Sequence, residues 1–188
     1  MKVAVLVPVK AFREAKLRLA PALDGPAREQ LARMMAERVV RAAAPLPVSV
    51  VCDDPDVATW ARSAEAEVIA RPGRGLNGAV SDGVARLAAA GVQRVVVAHG
   101  DLPLATRLAW VAGFDGVTIV PDRHDDGTNV ICVPAAAGFC FWYGPGSFRR
   151  HSAEARRMGL AVRVVREPQL GWDVDLPDDL AAVPAACG

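Results

Sequence analysis

Val95-Val96-Val97-Ala98-His99-Gly100-Asp101-Leu102-Pro103-Leu104 reads as a strand that runs straight into a loop. Its first four residues are small and apolar, three of them β-branched, as in a strand buried on both faces of a parallel sheet. A Gly, an acid and a Pro follow, and none of these suits a sheet interior. A carboxylate delivered to the C-terminal lip of a buried strand sits where open α/β sheets bind ligands. Asp101 is therefore the first candidate for chemistry.

Outward from this strand, elements alternate. Val3 to Val7 is an apolar run stopped at Pro8, and Val48 to Cys52 and Glu67 to Ala70 read as further strands. Helices are expected from Pro26 to about Ala44, from Asp56 to Ala64 behind the acidic cap Asp53-Asp54-Pro55, and from Ala79 to Ala90. A short helix is expected near Leu108 to Val111 and a strand from Val117 to Val120. A polar loop from Asp122 to Asn129, a strand from Val130 to Val133, a helix ending near Met158 and a strand from Val162 to Val165 come next. Asp173 to Leu180 opens a closing helix with an acidic first turn. This alternation predicts βαβ units, a three-layer α/β fold and a mostly parallel, mixed central sheet. No repeat or linker divides the chain, so residues 1–188 are expected to form one domain.

Composition narrows the function. The 188 residues carry 52% hydrophobic and 23% charged side chains, ordinary for a globular protein. A net charge of +1 gives no nucleic-acid surface, and no apolar run reaches the roughly 20 residues of a membrane span. Met1-Lys2 leads directly into a strand, so a cytoplasmic protein without a signal peptide is expected. Cys52, Cys132, Cys140 and Cys187 lack CxxC spacing and read as core residues or a tail thiol, and three His without HxxxH spacing give no zinc site.

Two basic loops follow strands and precede helices, so both should open at the lip that carries Asp101. In the first, Lys10, Lys16 and Arg18 can wrap a triphosphate, with solvated surface charge as the alternative. The second is Arg71-Pro72-Gly73-Arg74-Gly75-Leu76-Asn77-Gly78. Neither a Walker sequence nor a dinucleotide fingerprint follows the first strand. Asp101 and Asp175 suit Mg²⁺, which takes one or two carboxylates and completes its shell with water and phosphate oxygens. Asp173 stands in reserve for Asp175, while Asp178 and Asp179 are explained by capping after Pro177. Thr128 lies in Gly127-Thr128-Asn129, and Ser147 ends Gly144-Pro145-Gly146-Ser147 ahead of a helix. There a hydroxyl and free N–H groups can hold an anion, or Ser147 can simply cap the helix. Arg149, Arg150 and His151 can add positive charge; His99 and His124 are more often structural or exposed than catalytic. No G-x-S-x-G elbow supports a Ser-His-Asp hydrolase.

Taken together, Pro8-Val9-Lys10, Ala15-Lys16-Leu17-Arg18-Leu19, Gly75-Leu76-Asn77, Asp101-Leu102-Pro103-Leu104, Asp126-Gly127-Thr128-Asn129, Tyr143-Gly144-Pro145-Gly146-Ser147-Phe148 and Asp173-Val174-Asp175-Leu176-Pro177-Asp178-Asp179-Leu180 resemble, in order, the motifs of the 2-phospho-L-lactate / phosphoenolpyruvate guanylyltransferase family. The resemblance spans nearly the whole chain. It implies a Rossmann-like nucleotidyltransferase fold and transfer of GMP from GTP to a phosphorylated three-carbon acid, with release of pyrophosphate, in deazaflavin coenzyme F-420 biosynthesis. Carried over by motif, Lys10, Lys16 and Arg18 hold the triphosphate, Asn77 contacts the nucleoside, and Asp101 and Asp175 hold Mg²⁺. Lys16, Asp101 and Asp175 form the catalytic set, while Thr128, Gly144 and Ser147 seat the acceptor. A downstream transferase that uses the guanylylated product is the implied partner. His99-Gly100, a short segment over 105–116 and Trp172 depart from the family pattern, and the acceptor stays open between 2-phospho-L-lactate, phosphoenolpyruvate and 3-phosphoglycerate. The alternatives are a molybdopterin guanylyltransferase or sugar cytidylyltransferase type, or a nucleotide-binding protein without turnover.

Overall fold

The computed structural model describes residues 1–70 and 73–183. Arg71 and Pro72 of the second basic loop, and the tail thiol Cys187, lie outside the described residues. The chain runs β1 (Val3–Pro8), α1 (Gly25–Ala42), β2 (Val48–Cys52), α2 (Pro55–Ser63), β3 (Glu67–Ala70), α3 (Gly75–Ala89) and β4 (Arg94–Ala98). It continues through β5 (Val117–Pro121), β6 (Thr128–Pro134), α4 (Ser147–Arg157), β7 (Val162–Val164) and α5 (Pro168–Gly171). One seven-stranded sheet takes the order β3-β2-β1-β4-β6-β5-β7.

The order decides where ligands go. From β1 the chain steps outward through β2 and β3, all parallel, then α3 carries it back to β4 on the other side of β1. The C-terminal ends of β1 and β4 therefore flank a topological switch point, the usual ligand crevice of such sheets. Strand β6 runs antiparallel to both β4 and β5. Its first residues consequently meet the last residues of β4, with the His99 N–H donating to the Asn129 carbonyl at 3.0 Å. The mostly parallel, mixed sheet expected from the sequence is the one observed.

Alternation within each strand builds two cores. Val5, Val7, Val50, Val96, Ala98 and Val130 face α1 and α2; Leu6, Val51, Val95, Val97, Ile119 and Ile131 face α3 and α4. Helix α3 lies so close to β1 that a Cβ on Gly83 would stand 2.7 Å from the Leu6 side chain. Burial on both faces explains the unbroken Val runs.

Some local expectations shift. Helix α3 begins at Gly75, not Ala79, so Leu76, Asn77 and Gly78 form its first turn. Thr128 and Asn129 are buried at the start of β6 instead of lying in the polar loop. The closing helix is a 3₁₀ segment, Pro177–Ala182, preceded by chain outside any regular element at Asp173 and Asp175.

Candidate active site

Beyond β1 the chain forms a loop pinned at two points. Phe12 is buried edge-on against Trp60 of α2 at 5.2 Å, and Arg13 donates at 2.6 Å to Asp54. Asp54 also caps α2 by accepting from the N–H groups of Asp56 and Val57. These anchors commit Arg13 elsewhere and present Lys16, whose backbone is left-handed at φ 55°, to the lip of the sheet.

There Lys16 meets two carboxylates from distant parts of the chain. Its Nζ donates to Asp101 Oδ2 at 2.6 Å and to Asp175 Oδ1 at 3.1 Å, with 10% of the Lys16 side chain exposed. Burial pulls the ammonium down, but the two carboxylates outweigh it and raise the Lys16 pKa. Asp101 mirrors this: burial pushes its carboxyl up, Lys16 and then His99 pull it down, and the net shift is downward. Asp101 Oδ1 is buried with no hydrogen-bond partner. The neighbouring Asp173 carboxyl is raised, first by burial and then by the charge of Asp101. It accepts from Asn129 Nδ2 at 3.4 Å and faces Arg123 at 3.8 Å.

A cleft of about 520 Å³ opens over this cluster, bordered by Lys10, Arg18, Met35, Leu76, His99 and Gly144. Lys10 is exposed, and Arg18 extends into solvent with its guanidinium 4.0 Å from Asp175. The His99 ring lies against Tyr143 at 4.8 Å between ring centroids, tilted by 47°. A cationic cleft over paired carboxylates suits a polyphosphate accompanied by a hard dication. Asp101 and Asp175 fit such an ion, because they already converge on one cation and Asp101 keeps an unused oxygen. Among the described residues no group of three or more His, Cys, Asp or Glu is arranged to enclose a metal.

The other sequence candidates take different partners. Asn77 Oδ1 accepts from the Tyr143 N–H at 2.7 Å, tying the first turn of α3 to the segment ahead of Gly144. Thr128 is buried, its Oγ1 3.0 Å from His151 Nδ1. His151 Nε2 accepts from the Trp142 N–H at 2.9 Å, so the neutral ring carries its proton on Nδ1 and donates to Thr128. Ser147 is buried as the first residue of α4, behind Gly146 as its cap.

The anion expected at the start of α4 is supplied from within. Both oxygens of Asp126 accept from the Gly146 N–H at 3.1 Å, and the Asp126 carbonyl accepts from Phe148. Of the 144–147 turn, Gly144 borders the cleft. His124 is exposed on the Asp122 turn. Sequence reasoning missed Asp126 as the partner of this turn, and it missed Arg123 and Asp179, which hold the Asp175 segment. An acid beside a turn residue was the available signal, Asp126 directly ahead of Gly127 and Asp179 two residues after Pro177.

Nearly the whole chain has counterparts among known proteins. The family model described as "Guanylyl transferase CofC like" matches residues 3–184. A phosphoenolpyruvate guanylyltransferase of Rubrobacter xylanophilus is 37% identical over 197 residues, covering 100% of this chain and 96% of the relative. One of Roseiflexus castenholzii is 37% identical over 185 residues, covering 96% and 87%. Among solved structures, a nucleotidyl transferase from Methanothermobacter superposes with a TM-score of 0.64 at 15% identity, covering 96% of this chain and 94% of that one. The 4-diphosphocytidyl-2C-methyl-D-erythritol synthase of Anaerococcus prevotii gives 0.63 at 10% identity, covering 96% and 93%. At such low identity these two establish the fold, a Rossmann-like nucleotidyltransferase fold.

Proposed function

The chain belongs to the CofC-like guanylyl transferase family, and from that premise we propose that it transfers GMP from GTP to phosphoenolpyruvate with release of pyrophosphate. The reaction belongs to coenzyme F-420 biosynthesis. Phosphoenolpyruvate is preferred over 2-phospho-L-lactate and 3-phosphoglycerate because the relatives above carry its name.

An acceptor phosphate oxygen attacks the α-phosphorus of GTP, a P–O bond forms, and the bond to the bridging oxygen of pyrophosphate breaks. A phosphate monoester is already ionised near pH 7, so no general base has to be found among the side chains. The work left to the protein is bringing two polyanions together and stabilising the charge that moves onto the leaving group. Lys16 does this as a fixed ammonium at the cleft floor, with Lys10 and Arg18 adding positive charge at its mouth. Asp101 and Asp175 would hold Mg²⁺, which supplies charge neutralisation of the phosphates when bound. Gly144 brings backbone up to the acceptor side, on a turn that Ser147 and Thr128 help to shape.

One observation carries this reading: Lys16, Asp101 and Asp175, contributed by three distant segments, meet within 3.1 Å at the switch point of the sheet. No helix among the described residues is long and apolar enough to cross a membrane; a cytoplasmic location suits the substrates, and a transferase would consume the product. Pyrophosphate release from GTP tests the proposal directly. It should require phosphoenolpyruvate and fall away with ATP or CTP. Turnover that prefers another acceptor or nucleotide would reassign the substrate.

A further inference from the structure

Asp175 is the more exposed of the two carboxylates, with 51% of its side chain accessible, so packing does little to hold it. Its place is fixed through the backbone. The buried Asp179 sends one carboxylate oxygen, Oδ2, to the N–H groups of Asp175 at 2.8 Å and Leu176 at 2.7 Å. The other oxygen takes a hydrogen bond from Arg123 Nη2. Arg123 also donates from Nη1 to the Asp173 carbonyl at 3.1 Å, and its guanidinium lies 4.4 Å from the Trp172 ring centre. Trp172 Nε1 closes the circuit on the Asp179 carbonyl at 3.4 Å.

Capping of its own short 3₁₀ segment does not use all of this. The bond from the Leu176 N–H is the capping-box bond of the segment, from the residue at its N-cap to the acid three positions on, but the same oxygen reaches one residue further back, to the N–H of Asp175 itself. The second oxygen of Asp179 is spent on an arginine 56 residues away. That arginine follows β5, whose C-terminal end lies at the same lip as that of β4. The sheet is thus linked to the tail through one guanidinium and one carboxylate, both with charge-assisted bonds.

We propose that Asp179, locked by Arg123, is the positioning residue of the site: it sets the turn that aims Asp175 toward Lys16 and Asp101. This rests on the nucleotidyltransferase reading above. Asp179 touches no substrate, and its effect passes wholly through Asp175, as the outer partners of metal ligands commonly act.

Asp179→Asn keeps the shape but loses the charge that holds Arg123. The full chain should then bind Mn²⁺, measured from the electron paramagnetic resonance of the free ion, at least tenfold more weakly. It should need at least tenfold more Mg²⁺ for half-maximal turnover, while KM for phosphoenolpyruvate stays within about twofold. Asp175→Ala should cost more than either effect, and adding Asp179→Asn to it should cost nothing further in Mn²⁺ affinity. If Asp179→Asn does not fold, Arg123→Met, which leaves the two backbone bonds in place, should shift the Mg²⁺ requirement in the same direction. Wild-type Mn²⁺ affinity and Mg²⁺ requirement in both variants, beside an inactive Asp175→Ala, would overturn the brace alone. An Asp175→Ala variant with normal turnover would overturn the reading of the site, and the brace with it.

Discussion

Two regions meet where β4 ends and β6 begins, and they spend their polar groups in opposite ways. At the rim, Lys16, Asp101 and Asp175 concentrate charge beside an open cleft, and Asp101 keeps a buried oxygen unused. Behind it, Thr128, His151, Asn77 and Asp126 are consumed by one another and by the backbone. A group whose bonds are already made can bind a ligand only by giving them up, at about the cost of what it loses. The rim therefore has capacity for chemistry, and the network behind it has capacity for shape.

The sharpest break of this contrast is Asp101→Asn. The carboxamide keeps the volume and removes the charge that faces Lys16 and a dication, so kcat/KM should fall by about three orders of magnitude. The melting temperature should stay within about 3 °C, since Lys16 keeps Asp175 at 3.1 Å. Parallel assays of pyrophosphate release and thermal unfolding decide it. Near-normal turnover would remove the rim from the chemistry, and a collapse of the fold would make it structural instead.

The rim was legible in the chain because both clues were local. A Val run ending in Gly-Asp needs only the strand period and the lip rule to place Asp101, and a basic loop after β1 needs only chain order to reach the same lip. The network behind it was not legible, because its partners are set by distance in space. Asn77 looked free in a Gly-rich stretch, yet Tyr143, which holds it, is 66 residues away. Thr128 looked like a loop hydroxyl until the antiparallel pairing of β6 with β4 drew it into the sheet. The N–H groups ahead of α4 looked open to an anion, and Asp126, 20 residues upstream of Gly146, supplies one. Asp179 showed its backbone-binding chemistry in sequence, but its tie to Arg123 depends on the fold.

A smaller effect comes from acid. Burial lowers the His151 pKa from 6.5 to about 4, with the positive charges of His99 and Arg150 adding to it. The folded protein therefore holds this ring neutral where an unfolded chain would protonate it. The stabilisation is complete above about pH 6.5 and drains away as pH falls toward 4. Over that window it amounts to roughly 3 kcal/mol. Protonation would also take from the Trp142 N–H its only ring acceptor, Nε2. Urea midpoints between pH 7.5 and 4.5 should fall more steeply for the wild type than for His151→Gln. Parallel slopes would show that another group governs the acid transition.

The smallest effect separates shape from contact at the acceptor side. Thr128→Val replaces the hydroxyl by a methyl of similar size and leaves the His151 Nδ1–H buried without an acceptor. Stability should drop by about 1–2 kcal/mol. Because the hydroxyl is turned toward His151 and Thr128 is 2% exposed, KM for the acceptor should change by no more than about twofold. Loss of a direct hydrogen bond to a charged acceptor would instead cost about tenfold or more. Thr128→Ser restores the acceptor for Nδ1 and should recover most of the lost stability. A tenfold rise in acceptor KM for Thr128→Val, with the unfolding midpoint unmoved, would transfer Thr128 to the rim. The division would then fall between Thr128 and His151 rather than between the charged cluster and everything behind it.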